Sequence, residues 1–209
     1  MGVRFRVVTL TIRLLLKLLV RVRAIGIDRI PRRGPLIIAI NHINFLEVPL
    51  LFILLRPRRL IGLAKVETWD NPVLRVLANL WDAIPIRRES VDTAAFRRAE
   101  AELKRGSIVA IAPEGLRTYD GALQRGHAGV AMLAARTGAP VLPIAHHGGE
   151  AFWRCLKRAR RTKVTVRVGS PIRIPPSIGR VEREHYVREI MTAIARMLPE
   201  RYRGYYATQ

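Results

Sequence analysis

Apolar residues recur along this chain in two rhythms, and their alternation lays out a fold. Residues 4–23 set Val7, Val8, Leu10, Ile12, Leu14, Leu15, Leu16, Leu18, Leu19 and Val20 around Arg13, Lys17 and Arg21. Those cations recur every fourth residue, which aligns them on one face of a helix. Charges so frequent disfavour a membrane span, which needs about 20 mostly apolar residues. The segment is expected to be an amphipathic helix, lying either at an anionic lipid interface or against the core. Downstream, short apolar runs at 36–40, 59–64, 83–86, 108–112, 141–145 and 163–168 predict buried strands. Residues 48–55 are apolar all round, as in a buried helix. Asn71-Pro72 opens another, since Asn caps well and Pro suits the first helical position. Further helices are expected at 92–105, starting on Asp92 and followed by Gly106, and at 127–137, stopped by Gly138. The last, 182–198, keeps Val187, Ile190, Met191, Ile194 and Leu198 on one face. Strands alternating with helices predict an α/β fold with a mixed, largely parallel sheet flanked by helices.

A chain of 209 residues, 49% hydrophobic, fills one core. The expected organisation is an N-terminal interface helix over 1–28 and one globular domain over 29–209. A single Cys155 forms no internal disulfide, and the N-terminus lacks the layout of an export signal, so a reducing, cytoplasmic setting is expected. Lys and Arg number 37 against 16 Asp and Glu, a net charge of +21 that calls for an anionic partner. No zinc-finger spacing or RNA-binding aromatic strand accompanies that charge, so no specific nucleic acid is expected, and lipid or phosphate is favoured.

Candidate chemistry gathers where apolar strands end. Asn41-His42-Ile43-Asn44-Phe45-Leu46-Glu47 sets a histidine after the 36–40 strand and a carboxylate about one turn later. A carboxylate folded back on one ring nitrogen fixes the tautomer and leaves the other nitrogen to take a proton from a hydroxyl. A second segment, Pro113-Glu114-Gly115-Leu116-Arg117-Thr118, follows the 108–112 strand. Gly115 permits close backbone approach there, and Arg117 offers a planar fork suited to phosphate.

Three further stretches complete an ordered set: Ala64-Lys65-Val66-Glu67, Ile84-Pro85-Ile86-Arg87-Arg88 and Ala139-Pro140-Val141-Leu142-Pro143-Ile144. In order and interval the five resemble the successive motifs of the 1-acyl-glycerol-3-phosphate acyltransferase family, over residues 32–144 with a compatible tail to about 174. Five ordered motifs are far more specific than any one. The resemblance implies that His42 is the base and that Glu47 stands where relatives usually carry Asp. It associates Glu114, Gly115, Arg117, Lys65 and Arg88 with the acceptor phosphate, and Val141, Leu142, Pro143 and Ile144 with the acyl group or its donor. It further implies an acyl-CoA or acyl carrier protein thioester as donor substrate, a lysophospholipid acceptor, no metal or other cofactor, and a place on the cytoplasmic face of an anionic phospholipid membrane. The sequence departs from the pattern at Glu47, longer by one methylene, and at His127, where many relatives carry Lys. The function expected is acyl transfer to the sn-2 hydroxyl of 1-acylglycerol 3-phosphate. The alternatives are an enzyme for glycerol 3-phosphate or another lysophospholipid, and a catalytically weak lipid-binding protein if Glu47 does not orient His42.

Other signals carry less. His146 and His147 are neighbours on an expected strand and so face opposite ways, without a cluster of further ligands. Cys155 has no recognisable base partner, and Phe152-Trp153 with Lys157, Arg158, Arg160 and Arg161 suits a lipid interface or coenzyme phosphates, or is a solvated basic face.

Overall fold

The computed structural model describes residues 3–87, 92–118 and 120–208. α1 (Val3–Leu19) runs directly into β1 (Val20–Ile25). There follow β2 (Leu36–Ile40), α2 (Glu47–Leu54), β3 (Leu60–Lys65), α3 (Pro72–Leu80), β4 (Ile84–Ile86), α4 (Thr93–Lys104) and β5 (Ile108–Ile111). α5 (Gly129–Thr137), β6 (Val141–His147), α6 (Phe152–Lys157), β7 (Thr162–Val168) and α7 (Arg180–Met197) complete the order. The strands make one seven-stranded sheet in the order β1-β7-β6-β2-β5-β3-β4. Every neighbouring pair is parallel except β6 with β7.

β2 lies in the interior of the sheet, between β5 and β6, and all five of its residues are buried. Successive strand side chains point to opposite faces. Ile37 and Ala39 accordingly join one core, with Ala99 and Leu103 of α4, Leu133 of α5 and Ile190 and Ile194 of α7. Leu36, Ile38 and Ile40 join the other, with Leu16 of α1, Leu50 and Leu51 of α2, and Trp81 stacked on Phe52. The arrangement is a sheet between two helical layers.

Local signals set several of the helix ends. The Asn71 side chain accepts from the amides of Val73 at 3.0 Å and Leu74 at 3.1 Å, with Pro72 in the first turn. Asp92 accepts from Ala95 at 2.9 Å, and Gly138 ends α5 at φ +68°. Two elements differ from the expected ones. The helix expected over 4–23 stops at Leu19, because Val20-Arg-Val-Arg carries the period-two alternation of a strand and pairs along β7 from Val20↔Thr162 to Ile25↔Arg167. Part of the segment 1–28 therefore belongs to the sheet. The aromatic and basic stretch from Phe152 contains a short helix, α6, that packs Phe152 into the core and leaves Trp153 exposed.

Stability should follow the sheet interior. Ile38→Ala, at a fully buried position, is expected to lower unfolding free energy by about 2–5 kcal/mol in urea titration. Val73→Ser, on the exposed side of α3, should stay within about 0.5 kcal/mol.

Candidate active site

Because β2, β5 and β6 are adjacent and parallel, their C-terminal ends open on one edge of the sheet, where α/β proteins assemble sites. β2 leads into Asn41-His42, β5 into Pro113-Glu114, and β6 ends on His146-His147. The three ends are laced together. Asn41 donates through its side-chain amide to the His146 carbonyl and accepts from the His146 amide, both at 2.9 Å. Thr118 donates its amide to the His42 carbonyl at 2.9 Å.

The loop from 41 to 46 folds around one carboxylate. Glu47, the first residue of α2, is 4% exposed. Its Oε1 accepts from the amides of Ile43 at 2.5 Å and Asn44 at 2.6 Å, and its Oε2 meets Nδ1 of His42 in a close hydrogen bond. Oε1 also lies 3.2 Å from Nε2 of His146. Burial works to raise the carboxyl's pKa, but hydrogen bonds from His146 and His42 outweigh it and hold it at about 2. Glu47 is thus an anion over the working pH range. An ionised carboxylate only accepts, so Nδ1 of His42 carries a proton, and Nε2 stands as the acceptor of the Arg117 Nε–H. Nε2 faces the exposed side of the site, where Nε–H of Arg117 approaches to 3.3 Å.

The second segment divides its roles. Gly115 turns at φ +71°, sending Glu114 inward and leaving Arg117 exposed. Glu114 is 1% exposed and accepts from the amides of His42 and Gln124, each at 2.8 Å. Its burial, opposed by those two hydrogen bonds and reinforced by the charge of Glu47, raises its pKa to about 7. Glu114 therefore braces the backbone of His42, and Arg117 is the member of the segment that faces solvent.

Among the other expected residues, Lys65 ends β3 on the same edge and is exposed, one strand beyond β5. Arg88 lies outside the described residues. Val141, Leu142, Pro143 and Ile144 pair with Ile37 to Ile40 of β2 and are buried. Strand alternation turns Val141 into one core and Leu142 and Ile144 into the other. His127, in the loop after β5, hydrogen-bonds through its backbone to Pro113 at 2.9 Å. His147 packs against Tyr202 on the face opposite His146.

His146 is the residue that sequence reasoning passed over. The signal was register: β6 pairs with β2 so that Ile144 lies beside Ile40, which brings the next residues of both strands together.

A family model described as Acyltransferase matches residues 21–147, from β1 to the end of β6. The chain is similar to 1-acyl-sn-glycerol-3-phosphate acyltransferase of Bacillus subtilis, 27% identical over 146 residues, which is 69% of this chain and 70% of that protein. It is also similar to the lyso-ornithine lipid O-acyltransferase of Pseudomonas aeruginosa, 33% identical over 114 residues, or 54% of this chain and 43% of the other. Among solved structures, the 1-acyl-sn-glycerophosphate acyltransferase PlsC from Thermotoga maritima superposes with a TM-score of 0.68 at 24% identity, covering 89% of this chain and 76% of that one. That likeness establishes the shared fold.

Glu114 makes stability depend on pH in a defined direction. Its folded pKa of about 7 exceeds the ordinary 4.5, so the folded chain holds this proton more tightly than the unfolded one. The stability it adds is fully present below about pH 4.5 and is lost as pH rises to about 7, on the order of 3 kcal/mol in all. Glu114→Gln should shrink the difference in urea-unfolding free energy between about pH 4.5 and 8 relative to wild type.

Proposed function

The chain belongs to the acyltransferase family, and on that premise we propose that it moves a fatty acyl group from an acyl-CoA or acyl carrier protein thioester to the sn-2 hydroxyl of 1-acylglycerol 3-phosphate. It is a glycerolipid acyltransferase. The observation that carries the finer reading is the His42–Glu47 pair, with Nδ1 held by the carboxylate and Nε2 left as an acceptor beside an exposed guanidinium.

In this reaction Nε2 of His42 takes the acceptor's hydroxyl proton as that oxygen attacks the thioester carbonyl. The new C–O bond forms, the C–S bond breaks, and the imidazolium returns its proton to the departing thiolate. Glu47 stabilises the transient imidazolium because it stays ionised throughout. Transfer is direct, without an acyl-enzyme. Arg117 binds the acceptor phosphate, and Lys65 and Arg88 are the further cations that the family resemblance associates with it. The acceptor hydroxyl then takes the place beside Nε2 that the Arg117 Nε–H holds in the free protein.

A second acceptor class is favoured by one observation, the 33% identity with a lyso-ornithine lipid O-acyltransferase. Its acceptor carries an amino-acid head group. Assays with 1-acylglycerol 3-phosphate, glycerol 3-phosphate and lyso-ornithine lipid, each with the same acyl thioester, rank the three.

The site of action we assign is the cytoplasmic surface of an anionic membrane. No helix of the described residues is long and apolar enough to cross a bilayer. α1 instead turns Leu16 into the core and leaves Val7, Leu10, Leu14, Leu15 and Leu18 exposed beside Arg13 and Lys17. Such a face gains by leaving water, and its cations gain near anionic head groups.

His42→Ala should lower kcat by about 10² to 10⁴-fold in a protein with unchanged circular dichroism. Wild-type turnover in that variant would end the mechanism. Arg117→Ala should chiefly raise KM for 1-acylglycerol 3-phosphate. An effect confined to the thioester's KM would move Arg117 to the donor side. Changing Leu10, Leu14 and Leu18 together to Asp should strongly reduce co-sedimentation with anionic vesicles without unfolding the chain, since all three are exposed. Added salt should weaken the wild-type protein's binding without abolishing it, because the apolar contribution is not screened. Full sedimentation of the folded triple variant would rule out α1 as the docking element.

A further inference from the structure

The Glu47 carboxylate is held by more than its own loop. Three of the groups that bond it, the amides of Ile43 and Asn44 and Nδ1 of His42, lie within five residues of it in the chain. The fourth neighbour comes from β6. His146 is 1% exposed, and its Nε2 lies 3.2 Å from Oε1 of Glu47 and 2.9 Å from the backbone oxygen of Asn41. Both neighbours are acceptors, so Nε2 bears the proton and the ring donates. Nδ1 of His146 is buried without a hydrogen-bond partner among the described residues.

The backbone that carries the ring is fixed. The reciprocal amide contacts between Asn41 and the His146 backbone, both 2.9 Å, fix the end of β6 to the end of β2. The ring's single Nε2–H hydrogen-bonds the Asn41 carbonyl at 2.9 Å and is shared at 3.2 Å with Oε1, which ties the carboxylate to the sheet itself. With Oε1 engaged by Ile43, Asn44 and His146, Oε2 is directed to His42 alone.

We infer that His146 is a positioning residue for acyl transfer, its Nε2–H clamping Oε1 of Glu47 so that Oε2 holds the His42 ring with Nε2 aimed at the acceptor hydroxyl. The inference rests on the dyad reading under Proposed function. His146 is buried and acts through Glu47. The effect belongs in kcat, since the dyad's alignment matters as the proton moves, and misplacement by about 1 Å can cost on the order of a hundredfold.

The test compares His146→Gln, His146→Asn and His146→Leu in the full-length protein, using 1-acylglycerol 3-phosphate and an acyl-CoA in steady state, with circular dichroism for folding. The glutamine amide nitrogen sits as many bonds from Cβ as Nε2 of histidine, whereas that of asparagine falls one bond short. Leu and Asn should lower kcat by about 10- to 100-fold with KM changed by less than about twofold, and Gln should recover most of the loss. Because the effect passes through Glu47, adding His146→Leu to Glu47→Gln should lower the residual rate by less than about twofold. Folded Leu and Asn variants with wild-type kcat, a Gln variant no better than Asn, or losses that multiply in the double variant would each overturn the inference. Should the Leu variant not fold, the Gln and Asn pair still decides. Glu47→Gln and His42→Ala serve as controls for the parent reading: wild-type rates in them remove the dyad, whereas losses in them beside unaffected His146 variants remove only the role of His146.

Discussion

A carboxylate kept charged in a desolvated place is the constraint around which this site is built. Taking an ion out of water costs several kcal/mol even after relaxation. Hydrogen bonds to a charged group contribute about 1.5–3 kcal/mol each. At Glu47 two backbone amides and two imidazoles converge on the carboxylate, so the donors outweigh burial and the anion persists. The bend of the 41–46 loop, the tautomer of His42 and the seam between β2 and β6 are all conditions for that outcome.

Glu114 provides the contrast. It is as buried as Glu47 but accepts from two amides only, and the charge of Glu47 acts against its ionisation. Burial wins there, and the carboxyl keeps its proton up to near neutrality. Two glutamates in the segments that follow neighbouring parallel strands thus sit on opposite sides of their ordinary pKa. One serves the imidazole ring and the other the backbone beneath it, so ring and main chain of His42 are fixed by separate carboxyl groups.

The central strands were legible because apolar runs bounded by chemistry-bearing loops have few other interpretations. The His42–Glu47 pair was legible because its members are five residues apart. What sequence could not supply was register. His146 is 104 residues from His42, and the pairing of Ile40 with Ile144 brings the ends of their strands together. Strand alternation turns His147 toward Tyr202 and His146 inward, so the buried member meets the loop after β2 and not its chain neighbour. β1 escaped notice for another reason, since its valines continue the apolar count of α1 and the change of period from 3.6 to 2 happens within four residues.

The join between α1 and β1 has its own consequence. Leu19 ends the helix and Val20 begins the strand, with no loop between them, and Arg161 bonds the carbonyls of Lys17 at 2.6 Å and Val20 at 3.0 Å. A helix spliced to a sheet in this way has no hinge. Where α1 is the element that meets a bilayer, its direct join to β1 and the Arg161 bonds tie the sheet, and with it the site, to the docked helix. Encounter with a lipid acceptor then becomes a two-dimensional search, and the rate follows the acceptor's mole fraction in the surface, not its amount per volume of solution.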